Sequence, residues 1–294
     1  MKPLLLDLGA HPDLVARVTK ALGAQAGGLE LRGFPDGECY LRLECDPAGR
    51  EVILLCSLDR PDAKTLAMLF AAATCRELGA RRVGLAAPYL AYMRQDIRFR
   101  PGEAVTSRYY AAMLSAHLDW LVTVDPHLHR YDSLAEIYTI PSRSVAAAPA
   151  LAAWLGANIP RPLLIGPDEE SSQWVSKVAE GVGAPWLTLV KVRNGDRDVA
   201  VSVPRLEEYR DRTPVLLDDI VSTGATMAAA LAHVCAQGFE APVCMAVHGI
   251  FAGDALAQLQ AAGVGRIVSS NTVQHHSNAI CVAAPLIAGI RELL

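Results

Sequence analysis

Three features of the sequence predict an α/β protein of two related doubly wound domains with mostly parallel sheets. Short apolar runs alternate with longer helical segments along the whole chain. The alternation stops near residues 141–149, where Pro141 and Pro149 punctuate it, and then starts again in the same order. The polar motifs stand just after the strand-like runs, where open α/β sheets place their ligands. The expected domains are residues 1–145 and 146–294.

In the first half, the leucine run at 4–8 reads as a strand and 11–22 as a helix. A Val-Ile-Leu-Leu run predicts a strand at 52–57, and an Ala- and Leu-rich segment a helix at 63–78. Strands follow at 83–87 and 120–124, separated by a helix at 105–117. The second half reads as helix 150–155, strand 162–165, helix 171–180 and strand 186–190. After the loop described next come strand 243–247, helix 254–262 and strand 266–269.

The chain is organised around Thr213-Pro-Val-Leu-Leu-Asp-Asp-Ile-Val-Ser-Thr-Gly-Ala-Thr-Met227. An apolar run ends in two carboxylates, Asp218 and Asp219. Small residues Ser222, Thr223, Gly224, Ala225 and Thr226 then turn the chain into a helix expected to begin near Met227. Converging backbone N–H groups and a helix N-terminus suit a phosphate monoester. Two acids just before such a nest suit a sugar phosphate, because carboxylates hold ribose hydroxyls.

Composition narrows the class. The 294 residues are 52% hydrophobic and 20% charged, with a net charge of −4. That is a globular chain large enough for two cores, with no basic footprint for nucleic acid. Seven scattered cysteines, without a C-x-x-C, read as reduced thiols. The longest apolar stretch, 280–290, is too short to span a bilayer, and the start lacks a signal peptide's cleavage region. The expectation is a soluble cytoplasmic protein with no membrane partner.

Five further motifs carry chemistry. Phe34-Pro-Asp-Gly-Glu38 is a turn between extended stretches, in which Phe34 can stack on a nucleobase while Asp36 and Glu38 accept from an amine or hydroxyls. Arg94 and Gln95 follow the third strand and offer a phosphate partner and a base-edge partner. Asp125-Pro-His127 and Gly166-Pro-Asp168 end corresponding strands of the two halves. His127 and Asp168 suit a divalent metal such as Mg²⁺ on a nucleotide. Lys191-Val-Arg193 stands at a strand end before a polar, Gly-containing stretch, and Lys191 is one of only five lysines. A cationic clamp for a phosphate-rich transition state belongs in such a place.

Taken in this order, the motifs resemble those of the ribose-phosphate diphosphokinases (PRPP synthetases) over nearly the whole chain. The matches are F-P-D-G-E at 34–38, R-Q-D at 94–96, D-P-H at 125–127, P-D at 167–168, K-x-R at 191–193 and D-D-I-V-S-T-G-A-T at 218–226. Arg60-Pro-Asp-Ala-Lys64 also looks like the family's segment before its first long helix. The resemblance implies two phosphoribosyltransferase-type domains and an enzyme moving the β,γ-diphosphoryl group of Mg-ATP to the C1 hydroxyl of ribose 5-phosphate.

It also implies roles. ATP falls to Phe34, Asp36, Glu38, Arg94 and Gln95; magnesium to His127 and Asp168; the catalytic loop to Lys191 and Arg193. Ribose 5-phosphate falls to Asp218, Asp219, Ser222, Thr223, Gly224, Ala225 and Thr226. In the family the F-x-D-G-E loop reaches a neighbouring subunit, which implies a dimer-based homo-oligomer, with tetramer and hexamer both open. Ser222 and Ala225 depart from many bacterial members, and Glu169-Glu170-Ser171-Ser172 replaces the usual small turn after Asp168. The family's regulation by phosphate and ADP is therefore not carried over. Two other readings compete: a phosphoribosyltransferase that consumes PRPP, and a non-catalytic regulatory homologue.

Overall fold

The structure, a computed structural model, describes residues 1–194, 198–202 and 206–294, with side chains for all of these except 190–194 and 198–202. By packing, the chain forms two compact units. One comprises Met1–Ala146, Thr272–Gln274 and Val282–Leu294; the other comprises Ala147–Asn271 and His275–Cys281.

The first unit runs β1 (Leu4–Asp7), α1 (Pro12–Leu22), β2 (Gln25–Ala26), β3 (Leu29–Gly33), β4 (Cys39–Leu43), β5 (Glu51–Leu55), α2 (Pro61–Glu77), β6 (Arg82–Ala87), α3 (Thr106–His117), β7 (Trp120–Val124) and β8 (Ser142–Val145). Its sheet has the order β2-β1-β5-β6-β7-β8, and every pairing is parallel. Such a sheet is covered on both faces, so its strands are continuous apolar runs rather than alternating ones. Val52, Leu54, Leu85 and Leu121 lie wholly buried in one core with Met68 and Ala71 of α2 and Leu114 of α3. Helix starts follow local chemistry. His11 caps α1 by accepting from the Asp13 N–H, and Pro12 takes a first-turn position where its missing N–H costs nothing.

The second unit runs α4 (Ala148–Asn158), β9 (Pro162–Gly166), α5 (Ser172–Val182), β10 (Trp186–Thr188), β11 (Val190–Asn194), β12 (Asp198–Ser202), β13 (Thr213–Val221), α6 (Ala225–Ala236), β14 (Val243–Gly249), α7 (Ala255–Ala261), β15 (Arg266–Ser270) and β16 (Asn278–Ile280). Its sheet, β10-β9-β13-β14-β15-β16, is also parallel throughout. The last helix, α8 (Ala283–Leu293), counts with the first unit. Its apolar stripe of Leu286, Ile287 and Ile290 is buried, and it packs on α1, β7 and β8.

When each unit's sheet strands are numbered along the chain, both orders read 2-1-3-4-5-6. Each unit also inserts one antiparallel hairpin between its second and third sheet strands, β3–β4 in the first and β11–β12 in the second. The α/β class and the parallel sheets are as the sequence predicts. Three local details differ. Strand β13 continues through both carboxylates to Val221, helix α6 begins at Ala225 rather than near Met227, and the strand expected at 186–190 breaks at Leu189 into β10 and β11. The apolar stretch at 280–290 proves to be mostly helix α8.

Candidate active site

In the second unit, β9 and β13 are neighbours at the point where strand order reverses, which opens a crevice at their carboxyl ends. Asp218 and Asp219 lie at that end of β13. The Asp218 carboxylate accepts from the Asp219 N–H at 3.0 Å, and the Asp219 carboxylate from the Ile220 N–H at 2.7 Å. Burial, then the charge of Asp219, then that of Asp168 raise the Asp218 pKa well above the usual carboxylate value. Charge on Asp219 and Asp168 thus opposes charge on Asp218, which favours an incoming cation or hydroxyl donors there. Behind it, burial pushes the Cys244 thiol up to about 12, so this sulfur is no nucleophile.

The loop Ser222–Gly224 then turns directly into α6. Gly224 sits at φ +77°, where a residue with a Cβ would be strained, and it lies against Ala255 of α7. The first turn of α6 brings Ala225, Thr226 and Met227, whose N–H groups have no acceptor within the helix. The segment after β14 clamps the loop from outside. The N–H groups of Ile250 and Phe251 both donate to Val221 O, and that of Ala252 donates to Ser222 O, each at 3.0 Å. Sequence reasoning missed this clamp; two glycines, Gly249 and Gly253, flanking a strand end were its available signal.

Asp168 follows β9 and caps a short 3-10 turn, Glu169–Ser171, by accepting from the Ser171 N–H at 3.3 Å. Ser171 is buried against Gly166, where any Cβ would lie 2.3 Å from the serine oxygen. The substituted turn is thus a packed cap, and Glu169 and Glu170 are exposed on it. Among the described residues, no three His, Cys, Asp or Glu side chains group into a metal cage.

In the first unit, the candidate residues again follow strand ends or ride the hairpin. Phe34, Asp36 and Glu38 are exposed at the β3–β4 turn, which closes through Phe34 N–H to Glu38 O at 2.7 Å. After β6, Arg94 is exposed and Gln95 half-buried. The N-terminus of α3 holds Gln95 twice, with Thr106 Oγ1 donating to its side-chain oxygen at 3.1 Å and the Ser107 N–H donating to its carbonyl at 3.3 Å. Arg98 and Arg100 belong to a separate turn that folds on Glu103, with Arg98 Nε donating to Glu103 O and the Arg100 N–H to its carboxylate. After β7, Asp125 takes a φ of +35°, a strained value for a residue with a side chain, and redirects the chain toward half-buried His127. Lys191 and Arg193 stand on β11, paired with Val201 and Val199 of β12, rather than in a loop after a strand. Their side chains lie outside the described residues.

Models of two known domains match this chain. The N-terminal domain of ribose phosphate pyrophosphokinase matches residues 4–117, and the phosphoribosyl transferase domain matches 133–274. The ribose-phosphate pyrophosphokinase of Methanothermobacter thermautotrophicus is 32% identical over 98% of this chain and 100% of that protein. The chain belongs to the ribose-phosphate pyrophosphokinases. The Methanopyrus kandleri and Halobacterium salinarum ribose-phosphate pyrophosphokinases are 31% and 32% identical, over 99% and 97% of this chain and 99% of each relative. The crystal structure of phosphoribosylpyrophosphate synthetase from Mycobacterium smegmatis shares the fold, with a TM-score of 0.84, 24% identity and 99% of both chains covered. For a ribose-phosphate pyrophosphokinase, the acid pair and small-residue loop of β13 occupy the crevice that the fold provides. No helix among the described residues is long and apolar enough to cross a membrane.

Proposed function

We propose that this chain joins ATP and ribose 5-phosphate, moving the β,γ-diphosphoryl group to the C1 hydroxyl and releasing PRPP and AMP. The carrying observation is that the similarity spans both units, including the pyrophosphokinase N-terminal domain at residues 4–117. A transferase that consumes PRPP needs the phosphate loop of the second unit but not the first unit's nucleotide-reading motifs.

In this reading the sugar phosphate sits on Ser222, Thr223, Gly224, Ala225 and Thr226, its phosphate against the first-turn N–H groups of α6. Asp218 and Asp219 accept from the ribose hydroxyls and fix the C1 oxygen in line for attack. Phe34 stacks on the adenine, with Asp36 and Glu38 beside it. Arg94 pairs with polyphosphate oxygens, and Gln95 reads a base edge. Lys191 and Arg193 meet the charge that builds on the equatorial phosphate oxygens.

Magnesium fits this chemistry. Asp168 is a hard oxygen ligand whose charge is felt at Asp218, and Mg²⁺ on a nucleotide typically takes one or two carboxylates, with phosphate and water completing the shell. We assign Asp168 and His127 each as a magnesium-facing residue. When bound, the ion would supply charge neutralisation of the polyphosphate. By the family resemblance we further propose that Phe34 enters the site of a neighbouring subunit of a homo-oligomer.

The test is phosphorus NMR of the purified protein with Mg-ATP and ribose 5-phosphate. AMP and a C1-linked diphosphate should appear together and depend on ribose 5-phosphate. If neither appears while PRPP still binds, the chain is a transferase or a regulatory homologue, and the ATP-site roles fall.

A further inference from the structure

We propose that the ion pair of Asp96 and Arg130 is a positioning brace for ATP, holding the Arg94–Gln95 loop and the His127 loop in one fixed spacing. The inference deepens the reading above and rests on it for the roles of Arg94, Gln95 and His127.

Strands β6 and β7 fix these loops only up to their last ladder pair, Ala87 with Thr123. Beyond it the two chains separate, and their hydrogen-bonded ties must come from side chains or turns. Asp96 directly follows Gln95 and is 2% exposed, a rare environment for a carboxylate. Its Oδ1 accepts from Arg130 Nη1 at 2.8 Å, and Arg130 stands three residues after His127. A second strut runs alongside. Tyr131 Oη donates to Asp96 O at 3.3 Å and lies 3.2 Å from Ser107 Oγ, while Arg108 Nε donates to Tyr131 Oη at 3.3 Å. Ser107 in turn holds the Gln95 carbonyl through its N–H. The guanidinium of Arg130 lies 5.6 Å from the centroid of the Phe99 ring, which limits its swing.

The pair is poorly satisfied for a purely structural element. Asp96 Oδ2 is buried with no hydrogen-bond partner, and Arg130 engages through one nitrogen although its side chain is 37% exposed. Well-packed apolar residues would stabilise such a place at least as well. What the ion pair adds is a directional tie between two loops that the sheet does not connect. Loss of that tie leaves both loops folded but lets Arg94, Gln95 and His127 drift from the spacing that one nucleotide requires.

Arg130→Met tests this, because it removes the charge and keeps the stem that packs near Phe99. The expected result is a KM for ATP raised at least about tenfold, with the KM for ribose 5-phosphate within about twofold of the parent, in protein that still melts cooperatively. Arg130→Lys should recover part of the loss, and Asp96→Asn combined with Arg130→Met should cost no more than either change alone. Unchanged ATP kinetics in folded Arg130→Met would overturn the brace, as would equal losses for both substrates. If Arg130→Met does not fold, Arg130→Gln, which likewise removes the charge, decides. A selective rise in the KM for ATP supports the brace, and parental kinetics overturn it. Arg94→Ala separates the two levels of the argument. An unchanged KM for ATP there removes the site reading itself, whereas a rise there without one in the Arg130 variants removes only the brace.

Discussion

The ring of Phe34 meets that of Tyr40 edge-on across the β3–β4 hairpin, with 6.1 Å between centroids and 87° between planes. The guanidinium of Arg32 lies 4.7 Å from the Phe34 centroid and 4.2 Å from that of Tyr40. These three side chains belong to one hairpin, so Phe34 is supported from its own strand pair while 41% of it stays exposed. An exposed aromatic costs apolar hydration, and a braced one has already lost the freedom that stacking would take from it.

That arrangement predicts a selective effect of Phe34→Ala. Base–aromatic stacking is worth roughly 1–3 kcal/mol, so the KM for ATP should rise about tenfold or more. The KM for ribose 5-phosphate should stay near that of the parent, and Phe34→Trp should retain most of the affinity. Steady-state kinetics in both substrates decide the point; equal effects on both would remove Phe34 from the nucleotide site.

Asp218 predicts a trade of stability against function. Its folded pKa lies above the ordinary value because burial and two neighbouring acids oppose its charge. An acid raised in this way penalises the folded state while ionised. The penalty is full above the folded pKa, shrinks as pH falls below it, and is gone below the unfolded pKa. Asp218→Asn should therefore melt higher than the parent near pH 7.5, by about 2–4 °C for each kcal/mol relieved. The difference should shrink on acidification, and calorimetry across that range measures it. The same variant should raise the KM for ribose 5-phosphate about tenfold or more, since hydrogen bonds to charged groups contribute roughly 1.5–3 kcal/mol. A variant that melts lower at neutral pH and converges upward in acid would reverse the sign and sink the argument.

How much of this was legible in the sequence depended on range. The strand–loop–helix at Thr213 to Met227 could be read because its parts are local: an apolar run, two acids, small residues and an Ala-rich helix. Motifs after strand ends were readable for the same reason. The partners of those motifs were not. Gln95 is held by Thr106 at the start of α3 and Asp96 by Arg130 after β7, contacts 11 and 34 residues apart that local sequence does not encode. The shared 2-1-3-4-5-6 order suggested itself only as a similarity of length and sequence of elements. That the F-P-D-G-E turn and the K-x-R segment ride hairpins at equivalent insertion points was hidden, because the two hairpins share no evident motif. The apolar stretch ending in α8 was ambiguous because a short buried helix and a buried strand have the same composition.

Thr106 carries the next prediction. Its hydroxyl donates to the side-chain oxygen of Gln95, which leaves the Gln95 amide nitrogen to donate elsewhere. Thr106→Val keeps the shape and removes the hydroxyl, so the amide is free to turn over and present its oxygen instead. An adenine edge and a guanine edge differ in just this donor and acceptor order. The ratio of kcat/KM for ATP over GTP should fall by roughly fivefold, about the value of one neutral hydrogen bond. A ratio that does not move would show that Gln95 does not read the base.

Lys191 provides the sharpest separation of binding from chemistry. It stands on β11 opposite Val201, one strand of the hairpin inserted before the phosphate-loop strand. The attack on the β-phosphorus spreads negative charge over oxygens that carry less of it in bound ATP. A cation placed for that moment stabilises the transition state more than the ground state. Lys191→Ala should therefore lower kcat by roughly 100- to 1000-fold, the scale seen when one preorganised charge donor is removed. The KM for ATP and the calorimetric affinity for Mg-ATP should change by less than about threefold. Lys191→Arg tests whether the charge alone suffices. If kcat survives in Lys191→Ala, the clamp belongs elsewhere; if affinity and kcat fall together, Lys191 is a ground-state contact and the hairpin serves binding rather than the chemical step.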